Sequence, residues 1–151
     1  MTVTTTAHAN FRGQAREALT FYQSVFGGDL SLATYADIHA AESPDVAEHI
    51  AFGRVKAPSG FDIMAYDVQP SKGYDPGENA FYITLQGSDA DKIKAWWEGL
   101  ADGARAILIP LGPAPFAPLY GMLTDRHGVT WIVGVERPSA TVPVGNRARI
   151  D

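Results

Sequence analysis

Four histidines, a turn aspartate and three tryptophans are the side chains in this 151-residue chain with the means to do chemistry. His8 stands in a β-rich stretch near the start. It is either a hydrogen-bonding group of a ligand cavity or a partly buried polar residue near a chain end. His49 opens a later apolar run and reads as structural. His39 lies in a charged segment and His127 in a turn, where both read as solvated. Asp125 begins the turn Asp125-Arg126-His127-Gly128, where an aspartate commonly accepts backbone N–H groups; it is a weak candidate for a general base. Trp96, Trp97 and Trp131 sit at core spacing. There is no cysteine, which excludes disulfides, thiolate metal sites and cysteine nucleophiles. No Ser-His-Asp arrangement or phosphate-cradling glycine loop stands out, and no glycine-rich strand-to-helix turn of the kind that binds a dinucleotide.

Composition bounds the answer further. Hydrophobic residues make up 46% of the chain and charged residues 19%, enough apolar material for a substantial core. The formal net charge is −5, with no cluster of lysine and arginine, which argues against a nucleic-acid surface. No apolar run approaches membrane-span length, and the N-terminus lacks a basic region followed by an apolar one. A soluble cytoplasmic protein without nucleic-acid or membrane partners is therefore expected.

The elements that must position these residues follow from periodicity. Val3 to Phe11 reads as a strand. Ala15, Ala18, Leu19, Tyr22, Val25 and Phe26 keep helical spacing up to the stop at Gly27-Gly28. Strands are expected over Asp29–Ala36, His49–Lys56 and Phe61–Val68, with a loop over Asp37–Glu48 and a turn at Ala57–Gly60. Gln69–Glu78, with Pro70, Gly73, Pro76 and Gly77, reads as a linker. The pattern then repeats: a strand over Asn79–Gln86, a capping box with Ser88 at the cap, and a helix carrying Ala90, Ile93, Trp97 and Leu100. A strand follows over Arg105–Leu111. Gly112-Pro113-Ala114-Pro115 reads as a loop, because two prolines do not suit a central strand. The last hairpin spans Leu119–Thr124 and Val129–Val135, with Trp131, Val133 and Val135 on one face and Thr130, Ile132 and Gly134 on the other.

Both halves are thus β-α-β-β-β. The helices superpose at a spacing of 75 residues (Ala15 on Ala90, Tyr22 on Trp97) and the final hairpins at 68 (Gly60 on Gly128, Met64 on Ile132). The longer loop at Asp37–Glu48 takes up the difference of seven. A duplicated module is a fold-level signal. The expectation is an α+β fold of two tandem βαβββ modules whose curved sheets enclose a cleft. Residues 1–137 would form one domain (modules about 3–68 and 79–137), followed by an exposed tail, 138–151.

Gly13-Gln14-Ala15-Arg16-Glu17-Ala18-Leu19-Thr20-Phe21-Tyr22 with Val25-Phe26-Gly27-Gly28, and Tyr120-Gly121-Met122-Leu123-Thr124-Asp125-Arg126-His127-Gly128-Val129-Thr130-Trp131, resemble the two signatures of the PhnB-like branch of the vicinal oxygen chelate superfamily. That superfamily includes glyoxalase I, bleomycin resistance proteins and extradiol dioxygenases. The resemblance covers roughly Ala7 to Val135 and implies paired modules, usually in a homodimer. Metal-dependent members hold a divalent ion with side chains on the cleft faces. The resemblance places those positions at His8, Met64, Ile83 and Ile132, of which three are poor ligands for a hard divalent ion. Asn10, Asp62, Tyr66 and Thr130 share face parity with that set. The resulting expectation is a small-molecule-binding protein without a metal, its ligand site lined by His8, Asn10, Asp62, Met64, Tyr66, Ile83, Thr130 and Ile132. A lyase, isomerase or dioxygenase using a divalent metal at a displaced site, with His8 and His49 as donors, is the alternative; whether the chain is an enzyme stays open.

Overall fold

The computed structural model describes residues 2–136; the tail expected at 138–151 falls outside them. The chain divides into two compact units between Phe81 and Tyr82. Each has one helix and four strands.

In the first unit β1 (Ala7–Phe11) leads to α1 (Ala15–Phe26), then β2 (Asp29–Thr34), β3 (Ile50–Lys56) and β4 (Asp62–Asp67). The sheet order is β1-β4-β3-β2. β1 runs parallel to β4, and the other neighbours pair antiparallel. A short 3₁₀ turn, Pro44–Val46, interrupts the loop before β3. In the second unit β5 (Ile83–Gly87), α2 (Ala90–Ala101), β6 (Ala106–Ala114), β7 (Ala117–Thr124) and β8 (Thr130–Val135) repeat the plan, with sheet order β5-β8-β7-β6 and the same parallel pairing of first and last strand. Both units are therefore the expected βαβββ modules.

Each helix buries its apolar stripe on one face of its own sheet. Ala15, Ala18, Leu19, Phe21, Tyr22 and Phe26 of α1 are buried, as are Ile63 and Ala65 of β4. In α2, Ile93 and Leu100 are buried, over Leu85, Leu123, Trp131 and Val133 of the second sheet. The same device lets both helices close down. Gly53 of β3 and Gly121 of β7 are equivalent, lying opposite Ala65 and Val133. A Cβ at Gly53 would stand 2.3 Å from Leu19, and one at Gly121 2.9 Å from the Trp97 ring. The bare backbone makes room for the helix side chain.

Two buried aspartates tie loops to these cores. Asp67 accepts from the backbone N–H groups of Gly13 and Ala15 at 2.7 and 3.0 Å and from Ile50 at 2.8 Å, so it caps α1 from a distant strand. Asp125 accepts from the N–H groups of His127 (2.8 Å) and Val129 (3.1 Å) and from the Trp131 indole (2.8 Å).

Several boundaries differ from the sequence reading. β1 starts at Ala7 rather than Val3, and β5 at Ile83 rather than Asn79, whose φ of 59° is not a strand conformation. The cap of α2 is Asp89, whose carboxylate accepts from Lys92 N–H at 3.1 Å, and not Ser88; a carboxylate also complements the positive end of the helix. β6 runs on through Pro113 to Ala114, where a loop was expected. It is the free edge of its sheet, and its pairing with β7 slips at three points, so the missing proline N–H groups interrupt no regular ladder.

Candidate functional site

The face of each sheet turned away from its helix is the candidate binding surface. In the first module, β1 and β4 pair so that His8 lies opposite Met64 and Asn10 opposite Tyr66. Arg54 of β3 lies on the other side of Met64, and Lys56 beside Asp62. His8, Asn10, Asp62, Met64 and Tyr66 therefore share one face, as their parity predicted. The intervening Ile63, Ala65 and Asp67 are buried.

This surface is polar and internally knit. His8 Nδ1 and Asn10 Oδ1 are 3.0 Å apart, and the His8 ring stands edge-on to Tyr66 with 5.3 Å between centroids. Arg54 grips Asp62 with two charge-assisted bonds, Nε to Oδ1 at 2.8 Å and Nη2 to Oδ2 at 2.5 Å. That guanidinium holds the Asp62 carboxyl below its ordinary range, and Asp62 in turn raises Arg54. A carboxylate so engaged is a poor free base or metal ligand. Arg54 was missed in the sequence. The signal for it lay in the hairpin turn: once Ala57 N–H bonds Phe61 C=O, Arg54 must fall beside Met64.

In the second module Ile132 and Thr130 lie on the open face, with Met122 opposite Ile132 and Thr124 opposite Thr130; the two threonine hydroxyls are 2.8 Å apart. Ile83 does not join them. It pairs with Trp131, on the side that α2 covers, and Thr84 pairs with Ile132. The expected placement of Ile83 on the binding face is thus corrected to Thr84. The cause is local. Three residues, 12–14, join β1 to α1, whereas two, 88 and 89, join β5 to α2. The helices repeat at 75, but the first strands repeat at 76.

The second face also carries a hollow of about 320 Å³, bordered by Gln86, Phe116, Tyr120, Ile132, Gly134 and Glu136 among others. Gly134 lies opposite Gln86 as Tyr66 lies opposite Asn10, so the phenol that stands over the first sheet has no counterpart on the second. Phe116 stands edge-on to Tyr120 at 4.8 Å. The sequence reading named none of Gln86, Phe116, Tyr120 or Glu136 for the site.

The remaining candidates fall elsewhere. Asp125 is buried in its turn, engaged by two backbone N–H groups and the Trp131 indole, which makes it a turn-holder. The His49 ring packs on Gly13, 3.4 Å from where a Cβ would stand. His39 is exposed and His127 half-buried. The four metal-equivalent positions therefore carry His8, Met64, Thr84 and Ile132, with one imidazole and no carboxylate. Among the described residues no three His, Cys, Asp or Glu side chains are grouped to hold a metal ion. This donor set does not fit the divalent ion of the metal-dependent members.

The comparisons with known proteins agree with this architecture. YjdN of Escherichia coli K12 is 25% identical over 145 residues, covering 89% of this chain and 96% of that protein. The crystal structure of PA1353 from Pseudomonas aeruginosa is similar at 31% identity and a TM-score of 0.76, covering 91% of this chain and all of that one. The PhnB protein from Bacillus cereus is similar at 26% identity and a TM-score of 0.66, covering 88% and 99%. The profile of the Glyoxalase/Bleomycin resistance protein/Dioxygenase superfamily matches residues 6–133, and the chain belongs to that superfamily.

Proposed function

We propose that the protein binds a small organic molecule on the open faces of its modules without a metal ion, acting by sequestration or sensing as bleomycin resistance proteins do. The observation that carries this reading is the set His8, Met64, Thr84 and Ile132 at the metal-equivalent positions. One imidazole beside a thioether, a hydroxyl and an alkyl chain binds a divalent ion weakly. Each face taken by itself suits a partly apolar ligand: the first sets Met64 beside the polar groups of His8, Asn10 and Tyr66, and the second sets Met122 and Ile132 beside Thr130. In this reading the chain works as a cytoplasmic homodimer.

Three measurements test it. Protein purified without chelator is expected to contain no stoichiometric Zn, Ni, Mn or Fe. Near-stoichiometric metal that is lost in His8→Ala would establish the alternative, a metal-dependent lyase, isomerase or dioxygenase. A thermal-shift screen across chemically diverse compounds is expected to give hits that raise Tm and persist in EDTA, since a ligand selective for the native state stabilises it. A screen without a hit would count against a binding face. A monomer mass by light scattering at micromolar concentration would remove the dimer.

A further inference from the structure

Resting on the small-molecule-binding reading, we propose that the hollow on the second module is the site for an organic cation, a quaternary or tertiary ammonium group carried on an apolar body. The hollow lies beside Gly134, which stands where the first module has Tyr66, and its volume of about 320 Å³ falls in the range of small-ligand sites. Its walls are chemically one-sided. Phe116 and Tyr120 meet at an interplanar angle of 79°, two aromatic walls of the kind that attract ammonium groups through the ring quadrupole. Ile132 gives apolar area, and Gln86 an amide. Glu136 is the one charged residue of the rim among the described residues, its backbone fixed by donation from its N–H to Gly87 C=O at 3.1 Å. Among the described residues, none bordering the hollow is basic. The duplication sharpens the contrast: where the first module sets Arg54 against Asp62, the second has Met122 and Thr130.

The test uses the full chain, isotopically labelled, and two water-soluble probes of matched shape: choline and its neutral isostere 3,3-dimethyl-1-butanol. Choline is expected to shift the backbone amides of Gln86, Tyr120, Ile132 and Glu136 saturably, and to bind about tenfold more tightly than the alcohol. Glu136→Gln and Phe116→Ala, both at exposed positions, are each expected to weaken choline several-fold and to leave the alcohol little changed. Equal affinity for the two probes at these amides would overturn the preference for a cation, while the small-molecule reading would stand. No shift with either probe would overturn the hollow as the site, whereas the reading itself falls only if the broader screen also fails.

Discussion

Ile83 lies directly opposite Trp131 in the parallel pair of β5 and β8, and this register decides which residues of β5 face α2. Ile83, Leu85 and Gly87 point to the helix, and a Cβ at Gly87 would meet Ile93 at 3.7 Å. Thr84 and Gln86 point away and are exposed. Ile83→Ala is therefore expected to lower stability by about 1–2 kcal/mol, reduced from a fully buried site because Ile83 is partly exposed. Thr84→Ala should fall within about 0.5 kcal/mol. Equilibrium urea unfolding of the two variants checks the register, and the reverse order would refute it.

The Asp125 carboxylate links the β7–β8 turn to the fully buried Trp131. Asp125→Asn keeps one oxygen acceptor but presents an NH₂ group either to the indole N–H or to the backbone N–H groups of His127 and Val129. Leaving such buried donors unmet costs about 2–3 kcal/mol. The expected outcome is a lower urea midpoint with unchanged affinity for any ligand found in the screen. A variant of wild-type stability that had lost binding would return Asp125 to the site.

Much of this architecture was legible in the chain. The helical stripes of α1 and α2, the glycine stops and the alternation in β4 and β8 are local signals, and local sterics and burial decide them. The face shared by His8, Asn10, Asp62, Met64 and Tyr66 followed from the positions the resemblance gave for His8 and Met64, extended along each strand by parity. What failed were places set by pairing between distant segments. Ile83 was assigned by carrying the helix repeat backwards across a loop one residue shorter, and a slip of one reverses the face of every side chain in a strand. Pro113 and Pro115 argued against a strand, but β6 is an edge, and which strand lies at the edge is a property of the whole sheet. The Arg54–Asp62 pair and the hollow at Gly134 needed the register of β3 on β4 and of β5 on β8.

The Arg54–Asp62 pair makes a directional prediction for acid. The native Asp62 carboxyl titrates below its ordinary value, chiefly through the bonds from Arg54. Its contribution to stability is thus present above the unfolded-state pKa and is lost as pH falls through the lower native value. Arg54→Met removes the partner, so the carboxyl titrates nearer its ordinary value and the difference between folded and unfolded states shrinks. Urea midpoints measured from pH about 6 to about 3 should fall less steeply in Arg54→Met than in the wild type. An equally steep fall in the variant would show that other groups hold Asp62 ionised.

Gly53 and Gly121 sit at matched positions beneath the two helices, but their neighbours differ in how far they can yield. At Gly53 a Cβ would meet the tip of the Leu19 side chain at 2.3 Å and Ala65 C=O at 3.1 Å. A leucine tip can change rotamer, though within a core where Leu19 is fully buried. At Gly121 the obstacles are the rigid Trp97 ring at 2.9 Å and Leu111 Cα at 3.0 Å, so relief requires moving α2 or the edge strand β6. Overpacking of this kind costs about 1–3 kcal/mol. Both alanine variants should lose stability in urea. Gly121→Ala should also shift the amides of β6, because Leu111 belongs to that strand, while Gly53→Ala should perturb α1. If Gly121→Ala left both stability and the β6 amides unchanged, α2 would not be seated on β7 as described.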